Sequence, residues 1–281
     1  MKYAVFTVSL PEYTPEQALD ALTQAGYDGV EWRVVDQAQA AEPGFWAGNR
    51  CTWPLSSFVA DAPHIRTITE AAGLAMPNVG TYATCDNLAA VEQAMRGAAL
   101  LGAPQLRVNV PSYDPQESYI KLRDRAQAQY REVAALAKQH GVRALIEIHM
   151  GNLTPSASAA AQFLAPFDPR CVGAIHDAGN MVHEGYERYR MGLELLGPYL
   201  GHVHIKDAAW RQAGTRPDGG AAWQAEWTPV AQGAVDFAAL IAALRAVEYD
   251  GWLSFEDFST SAPLATRLTH NIAYIRQLVE H

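Results

Sequence analysis

Strand-like and helix-like segments alternate regularly along the 281 residues, and this alternation leaves few possible folds for the chain. Strands are predicted at 2–9, 29–35, 75–82, 105–110, 143–149, 171–177, 201–206 and 251–256. Helices are predicted at 15–25, 63–72, 87–101, 117–140, 156–165, 186–197, 236–247 and 264–280. Strands that alternate with helices indicate βαβ units around a parallel sheet, and eight such units in about 250 residues are typical of a closed (β/α)8 TIM barrel.

The competing α/β architecture is a doubly wound open sheet. That fold would require a Gly-rich phosphate loop after the first strand, and residues 9–13 (SLPEY) do not form one. No linker or shift in composition divides the chain, so we predict an α/β fold with one TIM-barrel domain over residues 1–281. Two connections, 36–62 and 208–234, are longer than a barrel needs. Both follow strands and therefore belong to the face where barrel enzymes keep their active sites.

Composition limits the partners and the compartment. The chain has 21 Lys and Arg against 30 Asp and Glu, a net charge of −9, which argues against binding to nucleic acid or to an anionic membrane. The three cysteines are widely spaced and are expected to be free thiols. The N-terminal apolar run is too short for a signal peptide, and no stretch reaches the roughly 18 apolar residues of a membrane span. We therefore expect a cytoplasmic protein. The tryptophan-rich 208–234 loop, a candidate lid or subunit contact, leaves a homo-oligomer open.

Polar side chains recur on one face of six predicted strands. Because side chains alternate across a strand, each set points away from the apolar face that meets the helices, and therefore into the barrel. The sets are Glu31 with Arg33, Arg107 with Asn109, Glu147 with His149, Gly173 with Ile175 and Asp177, His202 with His204 and Lys206, and Trp252 with Ser254 and Glu256. Charges inside a barrel cost several kcal/mol unless they are paired or bind a metal.

Four of these residues form a candidate metal site. Glu147, Asp177, His204 and Glu256 come from four different strands and offer three carboxylates and one imidazole. A mostly oxygen donor set with one nitrogen suits a single divalent ion such as Mn²⁺, Mg²⁺, Co²⁺ or Zn²⁺, with coordination positions left for substrate oxygens.

The order and spacing of four motifs resemble the xylose isomerase-like family of sugar isomerases and epimerases, which includes ketose 3-epimerases, hydroxypyruvate isomerase, inosose dehydratase and, distantly, endonuclease IV. The motifs are 146–149 (IEIH), 176–181 (HDAGNM), 202–207 (HVHIKD) and 249–257 (YDGWLSFED). The resemblance covers about residues 1–280. It implies that Glu147, Asp177, His204 and Glu256 are the metal ligands, and that Glu147 and Glu256 are the catalytic acid/base pair.

The chain departs from the ketose epimerases at two positions. Asn180 stands where those enzymes carry a His three residues beyond the ligand Asp, and Trp210 stands where they carry a substrate-binding Arg. The usual sugar contacts of a ketose 3-epimerase are therefore not all present. Asn180 is kept as a candidate for substrate binding, together with His149, Lys206 and Arg107.

Simpler roles compete with each of these assignments. Glu147 and Glu256 could form ion pairs with Lys206 or Arg107, although one cation cannot balance three carboxylates. His149 and Lys206 could bind substrate oxygens or orient the metal ligands, and Arg107 could bind a substrate anion or pair with Glu31. The tryptophans at 46, 53, 210, 223 and 227 could form the walls of a sugar pocket, pack in the core or lie at an oligomer interface.

Three functional hypotheses follow. The first is a divalent-metal-dependent isomerase or epimerase of a small carbohydrate or polyol, in which a proton is removed and returned through an enediolate that the metal would stabilise. The second is a lyase that dehydrates a keto-polyol at the same site, as in inosose dehydratase. The third is a sugar-binding barrel without catalytic activity.

Overall fold

The computed structural model describes all residues from Met1 to His281, and its strands and helices alternate as expected. The strands are β1 (Lys2–Phe6), β2 (Gly29–Val34), β3 (Thr52–Trp53), β4 (Val79–Thr81), β5 (Gln105–Arg107), β6 (Arg143–Glu147), β7 (Val172–Asp177), β8 (Leu200–Ile205), β9 (Asp207–Thr215), β10 (Ala221–Thr228) and β11 (Trp252–Phe255). The helices are α1 (Pro15–Ala25), α2 (Phe58–Ala71), α3 (Leu88–Leu101), α4 (Tyr119–His140), α5 (Ala157–Leu164), α6 (Ala178–His183), α7 (Tyr189–Leu196), α8 (Phe237–Ala246) and α9 (Leu264–Glu280).

Eight parallel strands close into a barrel. Their order around the ring is β1, β2, β4, β5, β6, β7, β8 and β11, and β1 completes the ring by pairing with both β2 and β11. Val5, for example, lies level with Val30 on one side and with Phe255 on the other. The predicted (β/α)8 TIM barrel is confirmed. Its description as one domain over residues 1–281 stays a prediction.

Local sequence explains most helix boundaries. Thr14 and Gln17 form a reciprocal capping box at the start of α1, and Gly26 ends that helix in the left-handed conformation, at φ 84°. Helix α2 begins at Phe58, five residues before the predicted start, and Pro63 lies inside it. The buried stripe of α2 continues across the proline. Phe58 packs so closely on α3 that a Cβ at Gly97 would lie 2.2 Å from its ring.

The observed strands and loops differ from the predicted ones mainly at the carboxyl end of the barrel. Several strands end earlier than predicted, so that Asn109 and His149 lie in loops. Part of the 36–62 connection forms β3, which pairs with β2. The 208–234 connection folds into an antiparallel hairpin of β9 and β10, where we expected a loop. None of the helices combines the length and the apolar character needed to cross a bilayer.

The core divides into two regions. The apolar faces of the strands pack against the helices, with Trp32, Tyr130 and Phe163 among the largest fully buried side chains. The interior of the barrel toward its carboxyl end is occupied instead by buried charged and polar side chains. The inward polar faces predicted from strand alternation therefore meet in one place.

Candidate metal and active site

Four side chains meet at the carboxyl end of the barrel: Glu147 at the end of β6, Asp177 at the end of β7, His204 on β8, and Glu256 directly after β11. Each offers a ligand atom, and these atoms all lie within 4.8 Å of one another. Strand register explains the convergence, because His204 lies level with Asp177 on one neighbouring strand and with Ser254 on the other. All four side chains are buried. We call this set the quartet.

Two buried cations accompany the quartet. Arg107 Nη1 lies 2.5 Å from Glu147 Oε2, Lys206 Nζ lies 2.8 Å from Asp177 Oδ2, and Lys206 also contacts Glu256. The ion pairs that the sequence left as an alternative to metal binding are thus present. They do not neutralise the site, because a fourth carboxylate, Glu31, is buried nearby. Four carboxylates against two fixed cations leave a surplus of negative charge that a divalent ion would balance.

His204 is oriented for a ligand on the quartet side. Its Nε2 lies 3.2 Å from Glu31 Oε2, and its Nδ1 lies 3.2 Å from Glu147 Oε1 and 3.5 Å from Asp177 Oδ2. Because the Glu31 carboxylate accepts a hydrogen bond, it keeps a hydrogen on Nε2, and Nδ1 is then the nitrogen that faces two carboxylates and that a metal ion would bind. Burial alone would lower the pKa of His204, but Glu31, Asp177 and Glu147 raise it well above its usual range, so the ring itself carries a positive charge whose Nδ1 proton a metal ion would replace. The donor set therefore fits a divalent metal ion.

Glu31 belongs to this site as a hydrogen-bond acceptor for its histidines, a role that the sequence did not predict. Its carboxylate accepts hydrogen bonds from His202 Nε2 at 3.0 Å, from Ser254 Oγ at 2.7 Å and from Asn78 Nδ2 at 2.7 Å, in addition to His204. Strand alternation placed Glu31 inside the barrel but could not identify its partners.

The structure also corrects one predicted pairing. Arg107, for which the sequence allowed a pair with Glu31, pairs with Glu147. Arg33, which shares a face of β2 with Glu31, hydrogen-bonds to Gln37 and Thr52 instead of binding a carboxylate.

The two candidate acid/base glutamates lie in different electrostatic environments. Burial would raise the pKa of Glu147, but Arg107, His204 and Lys206 outweigh it and hold that pKa well below its usual range. For Glu256 burial dominates, and its pKa is raised although Lys206 and His204 act in the opposite direction. Glu256 is therefore the more basic carboxylate of the pair.

Two adjoining cavities border the quartet, one through Glu147 and Glu256 and the other through Glu147 alone. The first, of about 330 Å³, we call the reaction cavity. It is lined by Trp46, Tyr82, Arg107, Glu147, His149, Met150, Lys206, Trp227, Glu256 and Phe258. The second, of about 320 Å³, we call the annex; it shares five of these residues, and its remaining walls come from the loops after β4, β5 and β6.

Three of the four predicted substrate-binding residues line the reaction cavity: His149, Lys206 and Arg107. The orientation of the His149 ring is held by a 2.7 Å hydrogen bond between its Nδ1 and the carbonyl oxygen of Met150. Asn180 does not line either cavity. It is fully buried beneath the quartet, with its Nδ2 3.4 Å from Glu147 Oε1, so its position suits orientation of Glu147 better than contact with a substrate.

Two of the five candidate wall tryptophans, Trp46 and Trp227, lie in the reaction cavity. The ring of Trp227 covers Lys206, whose Nζ lies 4.9 Å from the ring centre. Trp53 packs in the core against the ring of Trp32, while Trp210 and Trp223 are exposed on the β9–β10 hairpin. Phe258 completes the aromatic walls with Tyr82. Neither was predicted, since both lie in loops just beyond strand ends.

Comparison with known proteins points to the same family that the sequence motifs resemble. A model of the family described as xylose isomerase-like TIM barrel matches residues 19–278. The solved apo structure of 3-keto-D-glucoside 4-epimerase from E. coli superposes with a TM-score of 0.74 at 16% identity, covering 99% of both chains. A structure of the IolI protein with a bound zinc atom superposes with a TM-score of 0.70 at 15% identity, covering 99% of this chain and 96% of that one.

The curated relatives are all named inosose dehydratase. Inosose dehydratase of Geobacillus kaustophilus is 25% identical over 161 residues, which cover 53% of this chain and 50% of the relative. The chain thus spans about half the length of the curated relative that it matches. The resemblance predicted from the four sequence motifs is confirmed, and the family is one of enzymes. With a family match over most of its length, the chain is a member of the xylose isomerase-like TIM barrel family.

Proposed function

We propose that this protein is a divalent-metal-dependent enzyme that removes a proton from the carbon beside a carbonyl group of a small polyhydroxylated substrate. The observation that carries this proposal is the quartet, in which Glu147, Asp177, His204 and Glu256 converge at the edge of an aromatic-walled cavity. These four residues would hold the ion. When bound, it would supply a Lewis acid that polarises a substrate carbonyl and acidifies the neighbouring C–H group.

Glu256 is the proposed general base. It borders the reaction cavity, and its pKa is raised by burial, whereas Glu147 is held ionised by the guanidinium of Arg107. Both glutamates contact a fixed cation, but a carboxylate whose pKa is raised accepts a carbon-bound proton more readily than one whose pKa is held well below its usual range. Glu147 would then serve mainly as a permanently charged ligand.

The contact between Lys206 and Glu256 favours dehydration over simple proton return. In a β-elimination, Glu256 takes the proton, the C–H electron pair forms the new C=C bond, and the C–O bond to the β-hydroxyl breaks. The Lys206 ammonium lines the same cavity and would protonate the departing hydroxyl, which leaves as water. Because Lys206 touches Glu256, the proton taken by the glutamate can then restore the ammonium. The name of the Geobacillus relative, inosose dehydratase, describes such a dehydration.

Isomerisation or epimerisation, which the sequence placed first, is the second candidate. It is supported by the presence of both Glu147 and Glu256 on the wall of the reaction cavity, where they reach it from different strands. Epimerisation requires a group on each face of the substrate to exchange protons. The ion pair between Glu147 and Arg107 lowers the basicity of one of the two, and for this reason we rank the lyase higher.

The test is incubation of the Mn²⁺-loaded protein in deuterium oxide with a panel of inososes, ketoses and keto-glycosides, followed by mass spectrometry. The lyase predicts a product that is lighter by one water molecule, and the isomerase or epimerase predicts a product that carries solvent deuterium without loss of water. Glu256→Gln is the matched control, since it preserves shape and removes the base. A barrel that binds these compounds but never exchanges a proton would be the non-catalytic sugar-binding protein, and the proposed enzyme would be refuted.

A further inference from the structure

The annex extends the reaction cavity on the side of β4, β5 and β6. It continues past Tyr82 and Arg107 to Thr84, Asn109, Ser112 and Asn152. Cavities that bind small molecules start at about 300 Å³, and the reaction cavity reaches this size without the annex. A single sugar over the quartet would therefore leave the annex unfilled.

Several hydrogen-bonding groups of the annex have no partner within the chain. Asn109 is held through its backbone, which bonds to Ala83 and Cys85, so its side-chain amide is free. Asn152 uses its Oδ1 to accept from the Thr154 amide at 2.7 Å, and its Nδ2 remains available. At the border with the reaction cavity, Arg107 Nη2 is buried without a hydrogen-bond partner. A buried donor without a partner is costly, which makes it a strong site for a ligand oxygen.

The charge of the annex selects the kind of group that would fill it. Its only fully charged side chains are Arg107 and Glu147, which neutralise each other in a 2.5 Å ion pair. The rest of the polar lining consists of hydroxyl and amide groups, with the half-buried ring of His149. Hydroxyl and amide groups match neutral hydroxyls, which donate and accept, better than they match a phosphate group.

We propose that the annex binds a second, neutral hydroxylated unit of the substrate, so that the substrate is a glycoside or a similarly extended polyol. The reacting unit would lie in the reaction cavity, and its substituent would pass Arg107 to reach Asn109 and Asn152. The proposal depends on the proposed function only for which end of the substrate reacts. The binding preference that it predicts can be measured without turnover.

The first experiment measures binding to the Mn²⁺-loaded protein by tryptophan fluorescence, because Trp46 and Trp227 both line the reaction cavity. The probes are cellobiose, maltose and lactose, each compared with D-glucose and D-galactose. Two or more hydrogen bonds in the annex should make at least one disaccharide bind about tenfold more tightly than either monosaccharide. Disaccharides that all bind no better than the monosaccharides, or that do not bind at all, would overturn the proposal.

The second experiment locates the preference. Asn109→Ala should weaken the favoured disaccharide about fivefold, as expected for one lost hydrogen bond, and should leave monosaccharide binding unchanged. Gln212→Ala, which removes an exposed amide on β9 outside both cavities, is the matched control. Equal weakening of both ligand classes by Asn109→Ala would refute the annex as a subsite. If the size preference holds while no proton exchange is found in deuterium oxide, the annex stands and the proposed chemistry is wrong.

Discussion

Replacement of Glu31 by Gln tests the central arrangement of the barrel interior. The carboxylate is fully buried and accepts hydrogen bonds from four side chains: His202, His204, Ser254 and Asn78. Glutamine preserves the shape but removes the charge, and it replaces one acceptor oxygen by an NH₂ group. That group would face donors instead of acceptors, so at least one of the four bonds is lost and the others weaken.

The magnitude follows from the number and type of these bonds. Hydrogen bonds to a charged group contribute about 1.5–3 kcal/mol each, and breaking a buried charged pair costs about 3–5 kcal/mol. We therefore expect Glu31→Gln to lower the free energy of unfolding by about 3 kcal/mol. Because Glu31 sets the tautomer of His204, the variant should also bind Mn²⁺ about 10–100-fold more weakly, as is usual when a partner of a metal-binding histidine is changed.

Urea unfolding of the metal-free protein and calorimetric titration with Mn²⁺ measure the two effects separately. Ser254→Ala is the matched control: it removes one donor to the same charged carboxylate, so it should cost about 2 kcal/mol and change Mn²⁺ affinity little. A Glu31→Gln protein with normal stability and normal Mn²⁺ affinity would refute the argument that Glu31 orients His204. A loss of stability with unchanged Mn²⁺ affinity would mean that Glu31 is structural only.

Three further predictions concern the quartet and the buried thiols. Glu256→Gln should abolish proton exchange with solvent while Mn²⁺ still binds through the other ligands; exchange at the normal rate in deuterium oxide would contradict its assignment as the base. Mn²⁺ at about 100 times its dissociation constant should stabilise the protein by about 2.7 kcal/mol in thermal unfolding, and Asp177→Asn should remove most of this gain. An equal gain in that variant would argue for a site elsewhere. Burial raises the pKa of the Cys85 thiol from about 9 to about 12, so the unfolded thiol ionises first and the protein should lose stability as the pH rises between these values. Cys85→Ala should flatten this pH slope in chemical unfolding, and an unchanged slope would show that the thiol does not contribute.

Periodicity and spacing were sufficient to predict the barrel and the quartet. Eight strands that alternate with helices leave few possible topologies, and a parallel sheet of this kind places the ends of its strands on one face. Alternation along a strand then assigns each side chain to the inside or the outside. This is why Glu147, Asp177, His204 and Glu256 can be grouped from their positions in the sequence alone.

The boundaries of the helices and the structures of the long connections were harder to predict from the sequence. The second helix was predicted to start at residue 63, but the buried stripe of α2 begins at Phe58, since the packing of Phe58 on Gly97 outweighs the backbone hydrogen bond that Pro63 cannot make. The 208–234 segment carries no simple strand pattern that could be separated from a loop, yet it pairs with itself as β9 and β10. Such pairing depends on contacts that single-segment patterns do not contain.

Local periodicity and the order of the strands are enough to specify the fold, the inward face of each strand and the identity of the four converging side chains. Which inward residues touch depends instead on how the strands pack in three dimensions. Glu31 and His204 are separated by 173 residues in the chain, and Arg107 and Glu147 by 40, and each pair forms only when the ring closes. Strand alternation specifies a direction for a side chain, whereas its partner depends on register, ring closure and the competition among several buried charges for the same few counter-charges.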